Sequence, residues 1–132
     1  MRVLVAGRQG QLAQALCARL PRDGHAVVAL GRPELDIADA DAVARAVDAA
    51  RPDLVVNAAA YTAVDRAEDE PDAAFAINRD GAANLARAAA AAGAPLVHIS
   101  TDYVFDGRKG APYVEADAPN PLGIYGRSKA EG

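Results

Sequence analysis

The sequence contains no tryptophan, one cysteine, one methionine, four tyrosines and two phenylalanines. Each scarcity excludes something. Cys17 alone cannot form an internal disulfide, and its place among Leu12, Leu16 and Leu20 reads as a small buried hydrophobe on a helix face. With few aromatic rings to fill a core, helices and sheet must pack closely through alanine and the branched aliphatics. No apolar run is long enough to span a bilayer, and Val3-Leu4-Val5-Ala6, stopped by Gly7, is too short for the core of a secretion signal. A cytoplasmic chain with no membrane partner is expected. Basic residues form no block, and 14 of them against 18 acids leave a net charge of -4, which argues against nucleic acid or an anionic surface as partner. There is no internal repeat.

What is present alternates. Short β-branched runs exchange with alanine-rich stretches of helical period, the pattern of repeated βαβ units in an α/β protein with a parallel sheet. Strands are expected at Arg2–Ala6, Ala26–Leu30, Leu54–Asn57 and Leu96–Ser100. Helices are expected at Gln11–Leu20, about Asp39–Ala50, about Asp72–Ala92 with Gly93 as C-cap, and from near Leu122. Pro21 to Gly24 breaks the chain, Tyr61 to Pro71 is a long connection, and the Gly/Pro-rich stretch Asp106 to Pro121 reads as a loop lining a site. The expected strand order is 3-2-1-4 with helices on both faces. One domain fits 132 residues, residues 1–132 as a whole.

Gly7-Arg8-Gln9-Gly10-Gln11-Leu12-Ala13 stands where the first strand hands over to the first helix. A tight turn there lets backbone approach a pyrophosphate held by the free N–H groups and dipole of the helix start, and small Ala13 lets helix and strand pack closely. This strand–turn–helix setting points to a dinucleotide. The second strand ends Leu30-Gly31-Arg32 with no carboxylate to bind a ribose diol, so NADPH is expected to be preferred or tolerated through Arg32, with NADH as the other candidate; a solvated turn arginine is the plainer account. Asp36, before Ile37, either caps its turn or meets the adenine.

Three further segments follow strands, at the sheet end where open α/β folds bind ligands. Ala58, Ala59, Ala60 and Tyr61 follow the third strand, and their small side chains would admit a ribose. Ser100-Thr101-Asp102-Tyr103 follows the fourth. Tyr125 and Lys129 stand four apart on one face of the last helix. An ammonium beside a tyrosine favours the phenolate and draws the pair toward acid–base work near neutral pH, while Thr101 or Ser100 could hydrogen-bond a substrate oxygen.

Taken together, Gly7 to Ala13, Asn57 to Asp65, Ser100 to Gly107 and Tyr125 to Lys129 resemble the dTDP-4-dehydrorhamnose reductases, within the extended short-chain dehydrogenases/reductases, whose two-residue spacing between the first glycines this turn shares. The resemblance implies a Rossmann-like domain and NADPH-dependent reduction of the 4-keto group of a nucleotide-sugar, dTDP-4-dehydro-L-rhamnose, in polysaccharide biosynthesis. It implies Thr101, Tyr125 and Lys129 as catalytic residues. For the cofactor it implies Gly7, Gln9, Gly10, Gln11, Leu12, Arg32, Asp36, Ile37, Ala58 to Ala60, Tyr61, Ser100, Tyr125 and Lys129, and for the substrate Thr62, Val64, Asp102 and Tyr103. The Mg²⁺ that some members hold is not carried over, because the matching position is Ala15. Members run to about twice this length, with a smaller domain for the sugar. The chain is therefore expected to stop short of the last strands, leave its fourth strand as an open edge, and self-associate there or as the family homodimer, with little turnover alone. A non-catalytic NADP-binding regulatory subunit and another nucleotide-sugar epimerase or dehydratase are the alternatives. Glu68-Asp69-Glu70 reads as a solvated helix end, His98 as packed, and Asp102 and Asp106 as site-lining or loop-capping.

Overall fold

Val3, Leu4, Val5 and Ala6 expose no surface. A strand apolar on both faces needs cover on both, and Arg2–Ala6 (β1) obtains it at the centre of a parallel sheet. A computed structural model describes every residue, Met1–Gly132. Its strands β1, Ala26–Leu30 (β2), Leu54–Asn57 (β3) and Leu96–His98 (β4) lie in the order β2-β1-β3-β4, all parallel. The fold is Rossmann-like.

Alternation along β1 sorts the helices between the two faces. Val3 and Val5 pack with Val56 and with Ala13 of the helix Gln11–Arg19 (α1). Leu4 and Ala6 join Val55, Val43 and Val47 of Ala40–Ala50 (α2), and Leu85 and Ala89 of Gly81–Ala91 (α5). Asp39 starts α2 by accepting the Ala42 N–H at 2.9 Å. Gly93, at φ +67°, ends the helical stretch in the left-handed region, as its expected cap role requires.

The expected order 3-2-1-4 is wrong. β3 pairs with β1, not with the outer side of β2, because Val55 and Val56 are buried on both faces and need a central place that the half-buried β2 does not. The chain leaving β2 tucks Leu35 and Ile37 into the core and returns through α2 across β1, on the face opposite α1. Connections therefore leave β1 and β3 in opposite directions, and a crevice opens between their carboxyl ends.

Other boundaries also differ. The Tyr61 to Pro71 connection contains a helix, Val64–Asp69 (α3), and the long helix expected next is Pro71–Phe75 (α4), a π-helical turn Ala76–Asp80, and α5. β4 stops at His98, so Ser100 lies beyond the strand, and Ile124–Glu131 (α6) begins after Gly123. Leu12 is exposed and Cys17 only half-buried, since α1 turns Ala13 and Leu16 toward the sheet. β4 pairs only with β3, leaving its far edge open with Val97 and Ile99 more than two-fifths exposed. No helix is long and apolar enough to cross a membrane.

Gly7 joins these layers. Its φ is +107°, and a Cβ there would lie 2.9 Å from the Ala58 carbonyl carbon. Gly7→Ala is expected to lower stability by about 2 kcal/mol or more, because left-handed strain and overlap with backbone act together. Urea unfolding with an unchanged slope would measure it. Gly10→Ala, at a position with nothing within 4 Å of the added carbon, serves as the control and should cost about 1 kcal/mol at most.

Candidate active site

The crevice between β1 and β3 is closed at its base by backbone. The Gly7 N–H donates to the Leu30 carbonyl at 2.7 Å and the Ala58 N–H to the Ala6 carbonyl at 2.8 Å. Above that base α1 begins at Gly10, in extended conformation and without a side-chain cap, so the N–H groups of Gln11, Leu12 and Ala13 have no helical partner. The carbon that Gly10 lacks would meet no protein atom, so that space belongs to the cleft. The cleft has a volume of about 260 Å³. Gly7, Gln9 and Gly10 line one side, Ala58, Ala59 and Ala60 the other, with exposed Arg32 and Asp36 at the rim and buried Ile37 beneath them. Thr62, expected on the substrate side, lines this cleft, whereas the side chains of Gln11 and Leu12 do not. Asp36 caps its own turn, accepting the Ala38 N–H at 2.9 Å, from a place on the rim.

Arg8 also lines the cleft, which motif reasoning missed; its guanidinium lies 3.1 Å from Glu34, while Arg32 stands exposed beside it. Tyr61 turns away. Its hydroxyl donates to Glu70 at 2.6 Å, and Glu70 also binds Arg66 at 2.6 Å. Arg66 first and Tyr61 second hold the Glu70 carboxyl below the usual value, and that carboxylate raises the Tyr61 phenol above its own. Tyr61 is thus engaged as a donor. The acidic run Glu68 to Glu70 is not merely solvated. Glu68 accepts the Ile124 N–H at 2.7 Å and so caps α6 from 56 residues away.

α6 is seated by several close contacts. A Cβ on Gly126 would fall within 2.2 Å of the Tyr103 carbonyl oxygen, so only glycine lets the helix rest on the 3₁₀ turn Asp102–Val104. The Tyr125 ring meets the Tyr103 ring edge-on, centroids 5.4 Å apart. Ser128, fully buried, donates to the Tyr125 carbonyl at 2.8 Å and accepts from Asn78 at 2.9 Å. Asn78 in turn binds both the N–H and the carbonyl of Tyr61, at 2.8 and 3.0 Å. The segment that follows the alanine wall and the helix carrying Tyr125 are thereby joined through one amide on the π turn. Sequence reasoning missed Asn78, although buried Ala74, Asn78, Ala82, Leu85 and Ala89 share one helical stripe, and a polar residue on it was the available signal.

Lys129 is buried, with Nζ 2.5 Å from the Ile99 carbonyl, and burial pushes its pKa below the ordinary lysine value. Thr101 accepts the Tyr103 N–H at 3.3 Å and donates to Asp102 at 3.2 Å. Ser100 is exposed beyond β4 and makes no side-chain hydrogen bond. Val64, Asp102, Tyr103 and Tyr125 meet at a second cavity of about 450 Å³. The Gly/Pro-rich loop walls it through Phe105 and Tyr113, stacked at 4.1 Å. Asp106 organises that loop by accepting from the Arg108 N–H, Asn120 and Tyr113, bonds that hold its carboxyl below the usual value.

The sequence matches the model of the RmlD substrate binding domain over residues 1–132. The chain belongs to this family. It is 53% identical, over its full length, to a dTDP-4-dehydrorhamnose reductase of Sinorhizobium fredii and covers 44% of that protein. A solved dTDP-4-dehydrorhamnose reductase from Bacillus anthracis in complex with NADP superposes with a TM-score of 0.95 at 42% identity, over 98% of this chain and 46% of that one. A Thermus thermophilus UDP-glucose 4-epimerase in complex with NAD matches at 0.89 and 28% identity, over 98% and 48%. This RmlD-family chain spans about half the length of the relatives it matches.

In this RmlD-family chain the Lys129 ammonium is a cation in an apolar setting with a single carbonyl partner. Because the folded pKa lies below the unfolded one, the group lowers stability at every pH beneath the unfolded value. Lys129→Met should therefore raise the thermal midpoint, by about 4 °C for about 1 kcal/mol regained, in differential scanning calorimetry. A fall of the midpoint would show the carbonyl contact to outweigh desolvation.

Proposed function

We propose that this chain provides the cofactor-binding and proton-transfer portion of a cytoplasmic NADPH-dependent reductase acting on the 4-keto group of dTDP-4-dehydro-L-rhamnose. The observation that carries this reading is the position of Tyr125, on the wall of the second cavity, with buried Lys129 one turn behind it and Thr101 capping the 3₁₀ turn whose Tyr103 ring packs against Tyr125. A dinucleotide suits the residues of the first cleft: open space at Gly10, three free N–H groups at the α1 start and the alanine wall at Ala58 to Ala60. The names of the relatives supply the substrate class, and the NADP complex of the similar reductase supports the cofactor.

When bound, NADPH supplies hydride. Within the chain, Tyr125 delivers a proton from Oη to the keto oxygen. Lys129, one helical turn from Tyr125 and fixed on the Ile99 carbonyl, supplies the positive charge of the pair. Thr101 exchanges its Asp102 partner for the same substrate oxygen and orients it, and Ser100 adds to the cofactor's surroundings. Val64, Asp102 and Tyr103 shape the sugar side, and Gln11 and Leu12 serve through their backbone.

In a protein containing this chain at its full natural length, NADPH should be oxidised in proportion to sugar reduced. Tyr125→Phe should lower kcat by about 10²–10⁴ while the NADPH dissociation constant stays within about threefold. Wild-type turnover in that variant would remove the proton-donor role. Retained NADPH binding without any turnover in the unaltered protein would favour a regulatory subunit, and sugar conversion without net NADPH loss an epimerase.

Arg32 decides cofactor choice. Exposed and lining the first cleft, its guanidinium would pair with the extra phosphate of NADPH, so Arg32→Ala should weaken NADPH binding about tenfold, near the value of one charge-assisted hydrogen bond, and leave NADH within about twofold. Fluorescence titration with both cofactors measures this; equal losses would make Arg32 a solvated turn residue.

A further inference from the structure

His98 is the one titratable side chain beside the site whose chemistry remains unused. It ends β4 directly opposite Asn57 of β3. Asn57, buried, accepts the Ala59 N–H through Oδ1 at 3.1 Å and directs Nδ2 at His98 Nδ1 at 3.0 Å. A backbone N–H can only donate, so Ala59 fixes which end of the Asn57 amide is oxygen. The NH₂ end can only donate as well. Nδ1 must therefore accept, and the ring is neutral with its proton on Nε2. That Nε2 is buried and has no partner. An apolar side chain of similar size would remove the unpaired Nε2 donor but leave the buried Asn57 Nδ2 without its acceptor, so what imidazole contributes here is the Nδ1 lone pair.

We propose that His98 is a positioning residue that, through Asn57, holds Ala59 in the wall of the dinucleotide cleft, and that its neutral state is required for this. The proposal rests on the reductase reading for the identity of the ligand. Protonation would turn Nδ1 from acceptor to donor facing a second donor, and Asn57 would lose its anchor. It would also set a second cation near Lys129, whose ammonium sits on the carbonyl of the next residue, Ile99. Lys129 is the charged group that bears on the ring, and no carboxylate offsets it. Burial first, and that charge second, push the His98 pKa below 6.5. The sign follows: the anchor is complete above the ring's unfolded pKa and is lost as pH falls through its lower folded value.

The test combines ring ¹⁵N NMR with NADPH titrations across pH in the full-length protein, comparing wild type with His98→Gln and His98→Phe. Wild type should show the Nε2–H tautomer at pH 7.5 and bind NADPH about tenfold more weakly once the pH is below the folded His98 pKa, which the ring ¹⁵N shifts locate. His98→Phe should be about tenfold weaker at pH 7.5 with no acid limb. His98→Gln, whose Oε1 can accept from Asn57, should recover most of the affinity, also without the limb. An Nδ1–H tautomer or an imidazolium at pH 7.5, or wild-type binding by His98→Phe, overturns the proposal. If no form binds NADPH, the reductase reading fails, while the tautomer still decides how His98 holds Asn57.

Discussion

Everything that positions the site depends on the approach of two backbones, Gly7 at the end of β1 and Ala58 at the end of β3. β1 and β3 are neighbours whose connections leave in opposite directions, so no helix roofs the gap above them. That gap can serve as a cleft only if its floor is thin and continuous. The absence of a side chain at Gly7 provides this, with the Ala58 carbonyl carbon only 2.9 Å from where a Cβ would lie. Bulk at either position would part the strands or fill the crevice. Small residues at Ala58, Ala59 and Ala60 extend the same condition along the opposite wall.

The alanine-rich interior has a second consequence. Elements packed through small side chains come close enough for short polar side chains to reach from one to another, helix to helix at Asn78 and Ser128 and strand to strand at Asn57. Each is buried and each has partners, so the desolvation of these groups is offset by their hydrogen bonds. Lys129 differs. Its ammonium has one carbonyl partner and a lowered pKa, and structural economy alone does not explain a lysine there. A lysine kept against its own desolvation, one helical turn from a tyrosine, is what the proposed proton transfer would require of this position.

How much of this was legible beforehand follows the range of the interactions. The glycine turn, the Tyr125/Lys129 spacing and the limits of β1, β2 and β3 are local patterns, and the sequence displays them directly. The strand order is not local. Nothing in Leu54 to Asn57 says on which side of β1 it will pair; only the burial of Val55 and Val56 on both faces does, and that is a property of the assembled sheet. The misjudged acids have the same origin. Glu68 looks like a solvated helix residue because its partner, the Ile124 N–H, is far along the chain. Tyr61 shares a segment with cleft-lining alanines, yet Glu70 draws its hydroxyl elsewhere. Asn78 was the exception, since its place on an apolar stripe could be counted from the sequence.

The two cavities then explain why Tyr125, rather than any other phenol, is the chemical centre of the proposed reaction. Tyr61 is committed to a carboxylate that raises its pKa, and Tyr113 donates to Asp106. Tyr103 is half-exposed and supports the Tyr125 ring edge-on. Tyr125 alone is carried on a helix seated at its start by Glu68 and at its middle by Gly126 and Ser128. Its hydroxyl makes no hydrogen bond to the protein, and it lines the cavity that Val64, Asp102 and Tyr103 share. A proton donor must be fixed in place but unengaged at the atom that reacts, and of the four phenols only this one meets both conditions.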